Sequence, residues 1–336
     1  MILNINPEFG IELTLAVPYA YWLHLQGRLE KVITSKDMKP FYYFCNNVEE
    51  RYDFRTIDNE AAGLKQLPNN WIYGFKQNAE LYKNEWSEWF RFADVERGCG
   101  ILDYREWVMP DYKTFYKNDS RFLLDKPFIV ICNRYNFEHG HPPLGYFDIE
   151  CLYNIFEYLT SLGYAVIYKR PDNKEGFPLD QNEVATIMNQ CNLSANVEGV
   201  GLVSDYELTT YFNDVYLLND FKDKYSDLTY NEIQLKLFAN SSGFITIAGG
   251  GSTLFPCTFQ LPTVTYFGRE MNESVRDRFF STPDGVKNLY NYHYKINSNL
   301  SVSVDADGTD MVHNKYKNFI NLIKNTFNEN KFNTAI

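Results

Sequence analysis

The sequence predicts an α/β protein of two lobes, the second of them a doubly wound parallel sheet, and three observations carry that prediction. From Phe128 onward, short continuous apolar runs of the kind that parallel sheets bury alternate with helical patterns. The chain opens on a strand, a loop and a helix, the same unit in miniature. With 336 residues, 45% of them hydrophobic, there is enough chain for two cores. The expected division is 1–125 for the first lobe, 126–300 for the second and 301–336 for a closing turn and helix.

In the first lobe, Met1 to Asn6 alternates apolar and polar residues as a strand does, Pro7 to Gly10 turns, and Ile11 to Leu25 follows as a helix. Apolar positions wrap most of that helix, which places it against a sheet, and Pro18 is expected to bend it or end its first half. Lys31–Ile33 and Phe41–Phe44 read as further short strands. The tract 69–92 carries Trp71, Trp86 and Trp89 among polar residues, a pattern that suits either a platform for a sugar ring or a small core. From Asp103 to Asp125 the chain is polar and irregular, as a linker would be.

In the second lobe, Phe128–Cys132 is a buried strand with a loop, 133–143, at its carboxyl end. Asp148 to Leu162 is an amphipathic helix whose stripe is Ile149, Leu152, Ile155, Phe156 and Leu159, and Gly163 is its C-cap. Ala165–Tyr168 is the next strand, ending in Lys169 and Arg170, and a further strand lies around 214–218. A helix from Asn231 then leads into the strand Phe244–Ala248, a Gly249-Gly250-Gly251 turn, a helix from Ser252 to Phe259 and the strand Thr263–Phe267. The final helix is expected over 315–327.

The chemistry gathers at the strand ends. Gly249, Gly250 and Gly251 leave a run of uncovered backbone N–H groups at a helix N-terminus, a seat for a phosphate or diphosphate, and Ser252 and Thr253 can serve either the helix end or a ligand oxygen. As a tight turn alone the same glycines would need no ligand. Arg134, Lys169 and Arg170 come off neighbouring strand ends at the same edge, in a chain whose net charge is -11. Together they suit the grip of a diphosphate, whereas each alone would be a solvated charge. Glu232, on the helix before the glycine strand, can accept from sugar hydroxyls or stand exposed. At the first strand's end Glu8 and Glu12 bracket Gly10, where open α/β sheets place ligands and a catalytic carboxylate; Glu12 could equally serve only the helix N-terminus.

Two stretches are familiar. Asn133 to Pro143 (Asn-Arg-Tyr-Asn-Phe-Glu-His-Gly-His-Pro-Pro) and Leu237 to Thr253 (Leu-Phe-Ala-Asn-Ser-Ser-Gly-Phe-Ile-Thr-Ile-Ala-Gly-Gly-Gly-Ser-Thr) resemble the donor-binding domain of GT-B glycosyltransferases, uncharacterised bacterial and viral members among them. Gly10 to Pro18 is similar to the opening loop and helix of heptosyltransferases and fucosyltransferases. The resemblance implies two Rossmann-like domains facing a cleft, an acceptor lobe before a nucleotide-sugar lobe, with the last helix crossing back to the first lobe. It implies transfer of a sugar from a nucleotide diphosphate sugar to a hydroxyl of a glycan acceptor, with inversion, without a metal or other cofactor, in polysaccharide biosynthesis. The heptosyltransferase base directly follows the first-loop glycine; here Ile11 holds that place, so Glu8 and Glu12 both stay candidates. Arg134 matches the family's basic residue after the first strand of the second domain. Gly10, Tyr135 and His139 are placed in the cleft. A nucleotide-sugar epimerase of the same fold, or a module that binds glycan or nucleotide without catalysis, are the alternatives.

The remaining features bound the setting. An acidic chain is a poor partner for nucleic acid, which wants a basic face. Six cysteines without a Cys-x-x-Cys pair read as free thiols of a reducing compartment, hence the cytoplasm. No apolar run reaches the length of a membrane span. Asp305 to Asp310 resembles a fragment of a calcium loop but lacks the closing glutamate, and His139 with His141 has no third ligand nearby, so no metal site is expected.

Overall fold

The computed structural model describes residues 1–56, 61–63, 66, 109–135, 146–170, 193–247, 255–256, 258–267, 301–305 and 317–328. These residues form a mixed α/β protein with parallel sheets, divided into two compact units, one up to Asp111 and one from Tyr112.

In the first unit β1 (Ile2–Asn4), β2 (Lys31–Ser35) and β3 (Val48–Tyr52) lie parallel in that order. Between β1 and β2 run α1 (Phe9–Ile11), a π turn over Glu12–Ala16 and α2 (Val17–Leu25). The helix thus starts at Phe9, inside the expected turn and two residues ahead of the expected start, and Gly10 sits in its first turn with helical backbone. Pro18 explains the break: it has no N–H to give the ladder, so it falls in the first turn of α2 and the wider π turn precedes it. Phe41–Phe44 is not a strand. Lys39–Tyr42 forms a 3-10 turn there, with Pro40 at its start and Phe41 and Tyr42 buried beneath it. The strand of this unit that sequence pattern missed is β3, whose Glu49, Glu50 and Arg51 give it none of the apolar character of a buried strand.

In the second unit, 112–122 is not irregular. Tyr112 to Tyr116 forms α3 and Ser120–Phe122 a 3-10 turn capped by Asp119. The main sheet has β4 (Phe128–Cys132) and β5 (Ala165–Lys169) near its middle, β8 (Val215–Leu217) at one edge, and β9 (Gly243–Ile247), β10 (Thr263–Phe267) and β11 (Ser301–Asp305) leading to the other. The order is β11-β10-β9-β4-β5-β8, parallel throughout. β6 (Ser194–Val197) and β7 (Gly201–Ser204) make a separate antiparallel hairpin, followed by α5 (Asp205–Thr209). α4 (Ile149–Ser161) has the stripe expected of it: Ile149, Leu152, Ile155, Phe156 and Leu159 are buried, each contributing roughly 1.5–3 kcal/mol. Asp148 caps its start by accepting from the Cys151 N–H, and Gly163 follows its end at φ +90°.

Helices cover both faces of this sheet. α4 packs on the face of Ile245 and Ile247, and α8 (Lys317–Thr326) joins it there: Phe319 stacks on Phe147 at 5.1 Å between ring centres. This last helix, expected to cross back to the first lobe, buries Phe319 and Ile323, with Phe327 just beyond it, in the core of the second unit. On the other face α6 (Leu218–Lys224) leads to α7 (Tyr230–Asn240), whose Phe238 meets Phe244 edge-on at 5.1 Å. Gly243 opens β9 because a Cβ there would lie 2.6 Å from the Pro262 carbonyl oxygen and 2.7 Å from the Phe327 ring.

Candidate functional site

The strand order places the site. The chain lays β4, β5 and β8 outward in one direction and then returns to place β9, β10 and β11 on the other side of β4. Successive connections therefore diverge between β4 and β9, and at such a switch point loops part beyond the carboxyl ends of the strands and leave a crevice for a ligand. Asn133 and Arg134 follow β4 at that point.

Asn133 is fully buried and uses its whole amide. Nδ2 donates to the Phe147 carbonyl and to the Tyr168 hydroxyl, both at 3.0 Å, while Oδ1 accepts from the N–H groups of Phe147 and Arg134, both at 2.9 Å. One side chain thereby fixes the backbone that presents Arg134, which is half-buried. Tyr135, next along, meets Tyr146 edge-on at 4.6 Å and packs against the core.

Lys169 and Arg170, alike in the sequence, have different surroundings. Arg170 is buried and bound to Asp205 at the start of α5, Nε to Oδ2 at 2.5 Å and Nη2 to Oδ1 at 3.1 Å. Its guanidinium also lies over the Tyr206 ring, 4.7 Å from the centroid. Tyr168 donates to the same Asp205 at 2.7 Å, and burial together with that carboxylate pushes the phenol well above its ordinary pKa, so it stays a neutral donor. Arg170 thus fastens α5 to the sheet. Lys169 is equally buried, yet no described carboxylate pairs with it, and the Tyr230 ring lies 5.9 Å from its ammonium. Glu232, in the first turn of α7, is half-buried and 3.6 Å from Lys236.

In the first unit the two candidate carboxylates also differ. Glu12 is fully buried: Oε1 accepts from Thr34 and from Tyr42, the latter at 2.9 Å, and Oε2 pairs with Arg55 at 2.5 Å. Arg55 donates as well to the Pro7 carbonyl at 2.9 Å and lies over the Phe9 ring. Glu8 is half-buried and accepts from the N–H of Gly10 at 2.9 Å.

His139, Gly249, Gly250, Gly251, Ser252 and Thr253 lie outside the described residues, as do the three tryptophans of 69–92, His141 and nearly all of 305–310. The described cysteines, Cys45, Cys132 and Cys151, are free thiols. Among the described residues no three His, Cys, Asp or Glu side chains gather as a metal set, and no helix is long and apolar enough to cross a membrane. Sequence reasoning missed Asn133, Arg55, Asp205 and Tyr230. A signal existed only for Asn133, which begins a motif already singled out.

No family model and no solved structure matches the chain. A segment of 61 residues is 31% identical to the Multidrug resistance protein 1 of Plasmodium falciparum, in isolates FC27 and 3D7 alike. It makes up 18% of this chain and spans 4% of that relative, which is too little of either to carry a family or an activity across.

Proposed function

We propose that the chain is a glycosyltransferase of the GT-B kind, moving a sugar from a nucleotide diphosphate sugar to a hydroxyl of a glycan acceptor with inversion and without a metal. One observation carries this reading: a six-stranded parallel sheet whose connections diverge between β4 and β9, with Arg134 just past the end of β4. Nucleotides bind at such divergences, and an arginine there suits a diphosphate. In this reading Arg134 and Lys169, with the amides of Gly249 to Gly251 and the hydroxyls of Ser252 and Thr253, hold the leaving diphosphate and the charge that develops on it. Glu232 takes a sugar hydroxyl. Arg170 acts through Asp205 as a positioning residue.

Of the two carboxylates, Glu8 is the base. Glu12 is out of reach of solvent and committed to Thr34, Tyr42 and Arg55, whereas Glu8 is half-buried and can receive the acceptor proton as the new bond forms. The commitment of Glu12 to Arg55 also favours a second reading, a module that binds the same nucleotide without catalysis. It is distinguished by a donor sugar that is bound and never released.

The test is thermal stability of the whole chain with GDP, UDP, ADP, TDP and CMP, with and without magnesium. One diphosphate should raise the melting temperature selectively and equally in both conditions; at a hundred times its Kd the gain is about 2.7 kcal/mol. Arg134→Gln should lose most of that rise while still unfolding cooperatively without ligand. Absence of a shift with every nucleotide overturns the donor site.

A further inference from the structure

The strand register sets Lys169 beside Cys132, Cys132 beside Thr246 and Thr246 beside Thr265, a row across β5, β4, β9 and β10. It lies just below the carboxyl edge, on the face that α7 covers. The other three members are neutral. The Thr246 and Thr265 hydroxyls bond each other at 2.9 Å, and burial pushes the Cys132 thiol up to about 11, so it stays protonated beside the ammonium. Lys169 is 5% exposed and forms no ion pair with any described residue, and Asp205 is spent on Arg170 and Tyr168.

Facing this row, Tyr230, Gln234 and Phe238 follow one another at four-residue spacing and so share one stripe of α7. Tyr230 lies against Lys169 and Phe238 against Phe244, which fixes the stripe toward the sheet and Gln234 between them. Gln234 is 0% exposed, and neither atom of its amide has a hydrogen-bond partner among the described residues. A buried cation without a counter-ion and a buried amide without a partner are each costly alone. A single oxyanion lying between them would satisfy both, and the N-terminal turn of α7, which begins at Tyr230, would add its dipole.

We infer that Lys169 and Gln234 form a recess for a phosphate group of a nucleoside diphosphate, the ammonium meeting its charge and the amide N–H donating to its oxygen. The inference rests on the nucleotide reading above and goes past it. It adds Gln234 to Lys169 and places the phosphate in the recess between the sheet and α7.

Calorimetric titration of the whole chain with pyrophosphate, GDP, UDP, ADP and TDP tests it, on the parent and on Lys169→Met and Gln234→Leu, alongside unliganded melting. Both variants remove a buried group with no described ion-pair or hydrogen-bond partner and should melt unliganded at or above the parent temperature. Affinity for pyrophosphate should fall at least tenfold in Lys169→Met and severalfold in Gln234→Leu. A drop in unliganded melting in both variants, or unchanged affinity, overturns the recess. Nucleoside diphosphates that bind parent and variants alike sink the recess and spare the nucleotide reading. Pyrophosphate binding that depends on Lys169, with no nucleoside diphosphate binding more tightly, keeps the phosphate recess and sinks the nucleotide reading. If nothing binds the parent, both fall.

Discussion

Glu12 sits where water does not reach, and Arg55 beside it is what makes that tolerable. Taking away one member of a buried pair leaves the other charged and unmatched, which costs about 3–5 kcal/mol, while replacing both with apolar groups of similar size is often near neutral. Arg55→Met should therefore lose stability of that order in urea denaturation, and Glu12→Met with Arg55→Met together should recover a good part of it; additive losses would show that the pair does not act as a unit. The sequence marks Glu12 by its place after the first strand but cannot reveal Arg55, which reaches it across 43 positions of chain. The same limit hides the contrast between Lys169 and Arg170. Alternation in a strand predicts that adjacent residues diverge to opposite faces, yet which of them meets a carboxylate depends on Asp205, 35 positions from Arg170.

Elements were legible where a repeating apolar pattern sets them, and obscure where a single contact does. β4, β10 and α4 coincide with their apolar runs or stripe to within a residue. The 112–122 stretch carries no such pattern: Tyr112 packs its first half against Phe255 and Phe259, and the order of its second half comes from Asp119. That carboxylate accepts from the Arg121 N–H at 3.1 Å, caps the 3-10 turn, and pairs with Arg121 at 3.0 Å and with Lys236 of α7 at 2.8 Å. Hydrogen bonds from Arg121, then from Lys236, hold its carboxyl well below the usual carboxylate range. A carboxyl whose pKa is depressed on folding contributes stability above its unfolded value, about 3.9, and loses it as pH falls through the folded one. Asp119→Asn should thus melt below the parent near neutral pH, by the equivalent of about 1 kcal/mol or less, since such surface pairs are screened. The gap should close as pH drops below about 4; a gap that is constant down to pH 2 would assign the difference to something other than this titration.

At the scale of the molecule, alternating strands and helices announce a parallel sheet, and short right-handed crossovers restrict how it can be ordered, but the return of the chain to the far side of β4 is a tertiary choice that no local pattern records. Gly243 shows how tightly that choice is held. With the Pro262 carbonyl and the Phe327 ring both within 3 Å of where a Cβ would stand, Gly243→Ala should cost about 1–3 kcal/mol in chemical denaturation, and a neutral result would mean that α8 is free to shift away from β9. Asn133 has a consequence of another kind. By tying the backbone at Arg134 to that at Phe147, it closes the neck of the stretch 136–145, so strand and helix are registered to each other without reference to what lies between. Changing the length of such a closed stretch costs only about 0.6 kcal/mol per doubling. The neck is thus what this corner of the architecture requires, and the length of chain that joins its two sides is left open to change without renegotiating the core.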